Sequence, residues 1–119
     1  MSQIHIQDLH LRTIIGIFDW ERTHKQDVLI NITVDFDSTQ AAKTDDIHDT
    51  VDYKTMNKKV IELVETSKFK LIETLADRIL QVVLTTKYVL SASVKVDKPG
   101  ALRFAKSVGI TVNGQNTSK

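Results

Sequence analysis

The sequence contains no cysteine. That excludes disulfide scaffolds, cysteine nucleophiles, iron–sulfur clusters and thiolate-bound zinc together. It holds one proline, Pro99, and four glycines. In a chain so short of breakers, Pro99, Gly100 and Gly109 crowd into one C-terminal stretch. Neither sign of charge dominates: 16 Lys and Arg face 15 Asp and Glu, a net charge of +1. The basic footprint of a polyanion binder is therefore missing. Aromatic residues are 6%, too few for a base-stacking platform. No nucleic-acid partner is expected. No apolar run approaches the roughly 18 residues of a membrane span, so no membrane partner is expected either. Met1-Ser2-Gln3-Ile4-His5 lacks the basic stretch and apolar run of a signal peptide. The expectation is a soluble, cytoplasmic protein. There is no glycine-rich phosphate loop and no Gly-x-Ser-x-Gly elbow.

What is present reads as one domain, residues 1–119. Hydrophobic residues at 41% and charged residues at 26% are an ordinary globular balance. A chain this size buries somewhat under about 70% of its unfolded surface. That suffices for one modest core but not for a deep private cavity as well.

Val28, Ile30, Ile32, Val34 and Phe36 alternate with polar or exposed positions over nine residues, a half-buried strand. Ile4, Ile6, Leu9 and Leu11 suggest an earlier strand, broken near Asp8. Gly16 marks a turn or bulge, and Phe18 to Lys25 reads as a long hairpin connection. Residues 37–50, with Asp45, Asp46 and Asp49, read as a solvated loop whose acids lie ahead of a helix. Tyr53, Met56, Val60, Leu63 and Val64 recur at helical spacing, with Asp52 as N-cap. A second helix is predicted from about Leu71 to Thr86, after a break at Ser67-Lys68-Phe69-Lys70. Ala92, Val94 and Val96 form a third strand; Val108, Ile110 and Val112 form the last. Residues 113–119 read as a polar tail. The order ββααββ implies an α+β fold: a four-stranded antiparallel sheet with both helices on one face. The other face carries Asn31, Thr33, Asp35, Ser93 and Lys95, and is polar.

His5, His10, His24 and His48 have no helical zinc spacing, so a metal site would have to be gathered from scattered side chains, and none is expected. The punctuated stretch is more informative. Lys98 ends a strand immediately before Pro99, which biases it toward extended backbone. That aims an amine from a rigid element, as a catalytic group requires; an exposed lysine at a turn is the simpler alternative. A lysine can serve as general acid or base beside a suitable charge. Candidate partners are Glu21, in Phe18-Asp19-Trp20-Glu21, and Glu73, in the first turn of the second helix, where its charge is favoured anyway. Tyr53 at the start of the first helix is either functional or a core-edge residue.

These residues resemble a known family. Ile15-Gly16-Ile17-Phe18-Asp19-Trp20-Glu21, Val51-Asp52-Tyr53, Leu71-Ile72-Glu73 and Lys98-Pro99-Gly100-Ala101, in this order and spacing from Ile4 to Val112, are similar to dihydroneopterin aldolase. The resemblance implies the tunnelling fold, in which subunits join their sheets into a barrel. It implies a homo-oligomer: a ring of four, two rings stacking as an octamer, with active sites between neighbouring subunits. It implies an aldehyde-lyase of folate biosynthesis, needing no cofactor. Such an enzyme splits 7,8-dihydroneopterin, a small-molecule pterin, into 6-hydroxymethyl-7,8-dihydropterin and glycolaldehyde. Matched position by position, Lys98 falls on the family's proton donor and acceptor. Glu21, Tyr53 and Glu73 fall on substrate-contacting residues, with Glu21 and Tyr53 also close to the catalytic step. Ile72 falls on a position whose backbone contacts the pterin.

A sister branch shares the fold: dihydroneopterin triphosphate 2′-epimerase. Leu11-Arg12-Thr13, Lys25-Gln26-Asp27-Val28 and Ala101-Leu102-Arg103-Phe104-Ala105 resemble that branch, whereas Asp19-Trp20-Glu21 and Lys98-Pro99-Gly100-Ala101 favour the aldolase. A triphosphate substrate would need further cations, for which Arg12, Lys54, Arg103 and Lys106 are unassigned; ordinary surface charge is the preferred explanation for them. A pterin-binding oligomeric module without turnover is a third reading.

Overall fold

The computed structural model describes residues 1–116. Strand β1 (Ser2–Ile15) pairs antiparallel with β2 (Gln26–Phe36), which pairs with β4 (Ser91–Pro99), which pairs with β5 (Ser107–Gln115). A fifth strand, β3 (Lys68–Phe69), adds parallel to Ile14–Ile15, so the sheet order is β3-β1-β2-β4-β5. The α+β class, the ββααββ order and the four long antiparallel strands stand as expected. The added strand escapes sequence reading because two residues carry no period.

Helices α2 (Tyr53–Thr66) and α3 (Ile72–Leu84) cover one face of the sheet. Met56, Val60 and Val64 of α2, with Leu75, Ala76, Ile79, Leu80 and Val83 of α3, meet Val28, Ile30, Ile32, Val34, Val94 and Val96 from the strands. Each apolar stripe can leave water only against the other, and that shared burial holds the two layers together. Asp52 caps α2: its carboxylate accepts from the Thr55 N–H at 3.1 Å. Thr13 is fully buried on β1, and its hydroxyl donates to the Val64 carbonyl at 2.6 Å, locking the end of α2 to the sheet.

β1 slips register between Ile6 and Leu9, with Asp8 at φ +52, so the predicted break is a bulge inside one continuous strand. The bulge keeps Leu9 and Leu11 on the core face. Residues 37–50 are not all loop: α1 (Thr39–Thr44) and a single 3-10 turn at Ile47–Asp49 lie within them. Six residues with no buried side chain leave no apolar stripe to read. The polar tail also begins later than expected. Residues 113–115 belong to β5, with Ser91 opposite Gln115, because the ladder satisfies their backbone groups whatever their side chains. Of that expected tail, residues 117–119 lie outside the described residues.

The second sheet face is polar, as predicted. Asp35 accepts from Gln3 at 2.7 Å and from Ser91 at 2.8 Å, and Asn31 and Asp8 bond each other across the bulge. No helix among the described residues is long and apolar enough to cross a membrane.

Candidate active site

Glu21 owes its place to a tight path between β1 and β2. Gly16, at φ +131, turns the chain away from the sheet, a conformation that side chains rarely adopt. Residues Asp19–Arg22 then form one 3-10 turn. Glu21, its third residue, reaches back so that Oε1 accepts from the Phe18 N–H at 3.1 Å. This folds the carboxylate inward over the Gly16 Cα, where a side chain would collide with it. Oε2 accepts from Lys98 Nζ at 2.9 Å and from Gln26 Nε2 at 3.1 Å. The two charged side chains are only 13% (Lys98) and 7% (Glu21) exposed. Such a pair is strongly coupled because little water screens it.

Burial alone would raise the Glu21 carboxyl. The Lys98 ammonium, the Phe18 N–H and the Gln26 amide outweigh that and hold it down from 4.5 to about 2. The carboxyl therefore binds its proton less tightly folded than unfolded, and it stabilises the fold fully above about pH 4.5. That contribution drains away as pH falls from 4.5 toward 2. Urea titrations across this window should show wild type losing more stability than Glu21→Gln; parallel curves would contradict the assignment.

The opposite wall begins at β3. Its two residues pair with the end of β1, and the chain then runs through Lys70 and Leu71 into α3. Leu71 offers no side-chain cap, and Glu73 sits in the first turn. Arg22 ties the two walls together. Its guanidinium donates to the carbonyls of Gly16 at 2.9 Å, Phe69 at 3.1 Å and Lys68 at 2.5 Å. Between the walls lies an open cleft of about 390 Å³, lined among others by Glu21, Gln26, Lys70, Ile72, Glu73 and Lys98.

Four of the five expected site residues thus meet in one place: Lys98, Glu21, Ile72 and Glu73. Tyr53 does not join them within the chain. It opens α2, is 51% exposed, and lies outside the cleft lining. None of Arg12, Lys54, Arg103 and Lys106 lines the cleft either. Arg12 bonds the Lys25 carbonyl and pairs with Asp27 at 3.5 Å, and Arg103 stacks on Phe104. Besides Lys98, the cation that does line it is Lys70. Two further residues have no expected site role: Arg22, which carries no motif, and Gln26, which falls in the Lys25-Gln26-Asp27-Val28 stretch. The sequence does hold a signal for Gln26: it is a polar side chain in phase with the buried row Val28, Ile30 and Ile32. Among the described residues, no three His, Asp or Glu side chains gather within metal-binding reach.

Four long antiparallel strands, edged by the short parallel β3, with two helices on one face are the architecture of the tunnelling-fold class, and here the end of β4 carries a poorly exposed lysine–glutamate pair. The comparisons narrow this. The family model for dihydroneopterin aldolase matches residues 4–113. The chain is 45% identical over 114 residues to a dihydroneopterin triphosphate 2′-epimerase of Pseudomonas aeruginosa, covering 96% of this chain and 93% of that one. It is 32% identical over 119 residues to the dihydroneopterin aldolase of Escherichia coli, covering 100% and 98%. The crystal structure of E. coli dihydroneopterin aldolase with neopterin superposes with a TM-score of 0.91 at 32% identity, over 96% of this chain and 99% of that one. The chain is an enzyme of the dihydroneopterin aldolase family.

Proposed function

We propose that this chain breaks the C1′–C2′ bond of 7,8-dihydroneopterin by retro-aldol cleavage, releasing glycolaldehyde and 6-hydroxymethyl-7,8-dihydropterin. The observation that carries this reading is the Lys98–Glu21 pair in the cleft. The substrate contains its own electron sink, the ring imine N5=C6. The base takes the 2′-hydroxyl proton, C2′ becomes the aldehyde carbon, and the bonding pair flows through C1′ and C6 onto N5. A proton delivered to C1′ completes the product, with no net oxidation. The protein must move protons and hold the ring. Lys98 moves them, a contribution of about 10²–10⁴-fold. Glu21 keeps the amine aimed into the cleft.

Glu73 stands at the other wall, where its two oxygens suit the guanidine-like edge of a pterin in a bidentate geometry. The backbone of Ile72, in the uncapped first turn, adds a contact to the same ring. Glu73→Gln replaces one acceptor and removes the charge. Neopterin fluorescence titration should show at least about tenfold weaker binding, since bonds to charged groups are worth about 1.5–3 kcal/mol. Unchanged affinity would end this role for Glu73.

The cleft is open and its rim is apolar: Ile17, Phe18, Trp20 and Leu71 are all exposed, and so, just past Ala101 in the chain, are Leu102 and Phe104, the latter at 99%. Long edges of the sheet, along Ser2–Thr13 and along β5, pair with no further strand among the described residues. Exposed apolar rims and unpaired edges ask for cover. Both support a homo-oligomer in which sheets join edge to edge into the family's four-membered ring, with a second ring stacked to give eight. Tyr53 of one copy then completes the cleft of the next, facing the reacting side chain or stacking on the ring. The setting is the cytoplasm, with the chain serving folate biosynthesis.

A second reading is favoured by one observation, the higher identity to the epimerase of P. aeruginosa than to the E. coli aldolase. Epimerisation at C2′ is the same cleavage followed by rejoining to the other face of the aldehyde. The deciding experiment incubates the protein with dihydroneopterin and, separately, with its triphosphate. Release of glycolaldehyde from dihydroneopterin supports cleavage. Inversion at C2′ of the triphosphate without release supports the epimerase, and pterin binding with neither leaves a non-catalytic module.

A further inference from the structure

Gln26 lines the cleft, yet neither proton transfer nor ring binding, as assigned above, uses it. Both hydrogens of its amide are committed. Nε2 donates to the Ile15 carbonyl at 2.6 Å and to Glu21 Oε2 at 3.1 Å. The first bond anchors the side chain to the end of β1, a rigid element. The second aims the remaining N–H at the one oxygen that also takes the Lys98 ammonium. Glu21 therefore has three donors, and only Lys98 among them changes its charge during turnover.

We propose that Gln26 is a positioning residue that holds Glu21 Oε2 in place while Lys98 exchanges its proton with the substrate. This rests on the proton-transfer role proposed for Lys98. When the lysine gives up a proton its amine is neutral, and the Coulombic part of its bond to Glu21 lapses. A carboxylate left short of partners in a dry site seeks another donor or a proton. The Gln26 amide does not titrate and is pinned to backbone, so its bond survives that step. Glu21 then stays where the amine must return. The other groups around the carboxylate cannot substitute. The Phe18 N–H holds the other oxygen, and Arg22 on the same turn is committed to three carbonyls. Lys70 and Glu73 belong to the opposite wall.

The test compares Gln26→Met and Gln26→Glu with wild type, by steady-state kinetics on dihydroneopterin and its triphosphate and by ¹³C NMR titration of the Glu21 carboxyl. In Gln26→Met, kcat should fall about tenfold with KM within about twofold, and the Glu21 titration midpoint should rise. Gln26→Glu keeps length and shape but places a second carboxyl against the first, and two such groups share a proton more readily as pH falls. Its kcat relative to wild type should be low at about pH 8 and recover toward about pH 6, a signature that a packing role alone does not produce. Should Gln26→Met lose its fold with the Ile15 bond, Gln26→Glu carries the test. Wild-type kcat in either folded variant, a KM effect without a kcat effect, or an unmoved Glu21 midpoint overturns the proposal. If wild type neither cleaves nor epimerises, the proposed function fails by itself, and the NMR midpoint alone decides whether Gln26 holds Glu21.

Discussion

Lys98→Ala should lose about 10²–10⁴-fold in kcat on dihydroneopterin while binding neopterin within a few-fold of wild type. The expectation follows from where the lysine is and is not. It stands at the Glu21 wall, at the end of β4, with its amine on Oε2 at 2.9 Å. The residues proposed to hold the ring, Ile72 and Glu73, lie on the other wall. Truncation also leaves a buried carboxylate short of its cation, which costs about 1–3 kcal/mol of stability. Glu21 nevertheless keeps the Phe18 N–H and the Gln26 amide, so the turn and the cleft survive. Near-normal turnover in Lys98→Ala would remove the lysine from the mechanism.

The same variant tests where Tyr53 acts. Lys98→Ala and Tyr53→Ala chains should each form poorly active assemblies. Unfolded together, refolded and assayed, an equal mixture should recover about one quarter of wild-type activity. An intact site then draws Lys98 from one chain and Tyr53 from its neighbour, each with even odds. If the two residues act within one chain, mixing recovers nothing.

The second large effect is at a position with no chemistry. Gly16→Ala should lower the thermal midpoint by roughly 5–15 °C and kcat/KM by at least about 10²-fold. Two costs coincide. At φ +131 any side chain is strained, at about 1–3 kcal/mol. The new Cβ would also fall well inside the Glu21 carboxyl group. Glu21 cannot step aside cheaply, because both of its oxygens are held. Whichever group yields, the carboxylate leaves Lys98. Gly100→Ala is the control. It too has positive φ, at +69, but no heavy atom lies within 4 Å of the added Cβ, so only the backbone cost of about 1 kcal/mol is expected. Equal stability of Gly16→Ala and wild type would mean that the carboxylate does not rest on Gly16.

Much of the fold was legible because apolar side chains must leave water together. The period of two from Val28 to Phe36 placed β2 and its buried face, and the helical spacing from Met56 to Val64 placed α2. Asp52 was readable as a cap because a short acid before an apolar period has few other uses. Elements failed to show where that pressure was absent. Lys68–Phe69 is too short for a period, Thr39–Thr44 buries nothing, and residues 113–115 are held by backbone pairing to β4.

The site divides along the same line. Residue order alone indicated Lys98 before a constrained proline, and Glu73 in a helix's first turn, since both depend on immediate neighbours. The pairing of Glu21 with Lys98 joins positions 77 residues apart. It exists because β2 is hydrogen-bonded between β1 and β4, which brings the β1–β2 connection beside the end of β4. The carboxyl held down to about 2, its bond from the Gln26 amide and its seat over the bare Cα of Gly16 follow from that register; local pattern marks Gln26 as inward and Gly16 as a turn but encodes none of these contacts. The absence of cysteine had narrowed the chemistry to acids, bases and an amine. Which acid meets the amine was decided by the sheet, because a poorly exposed ion pair is defined by distance and burial, and only the folded chain sets either.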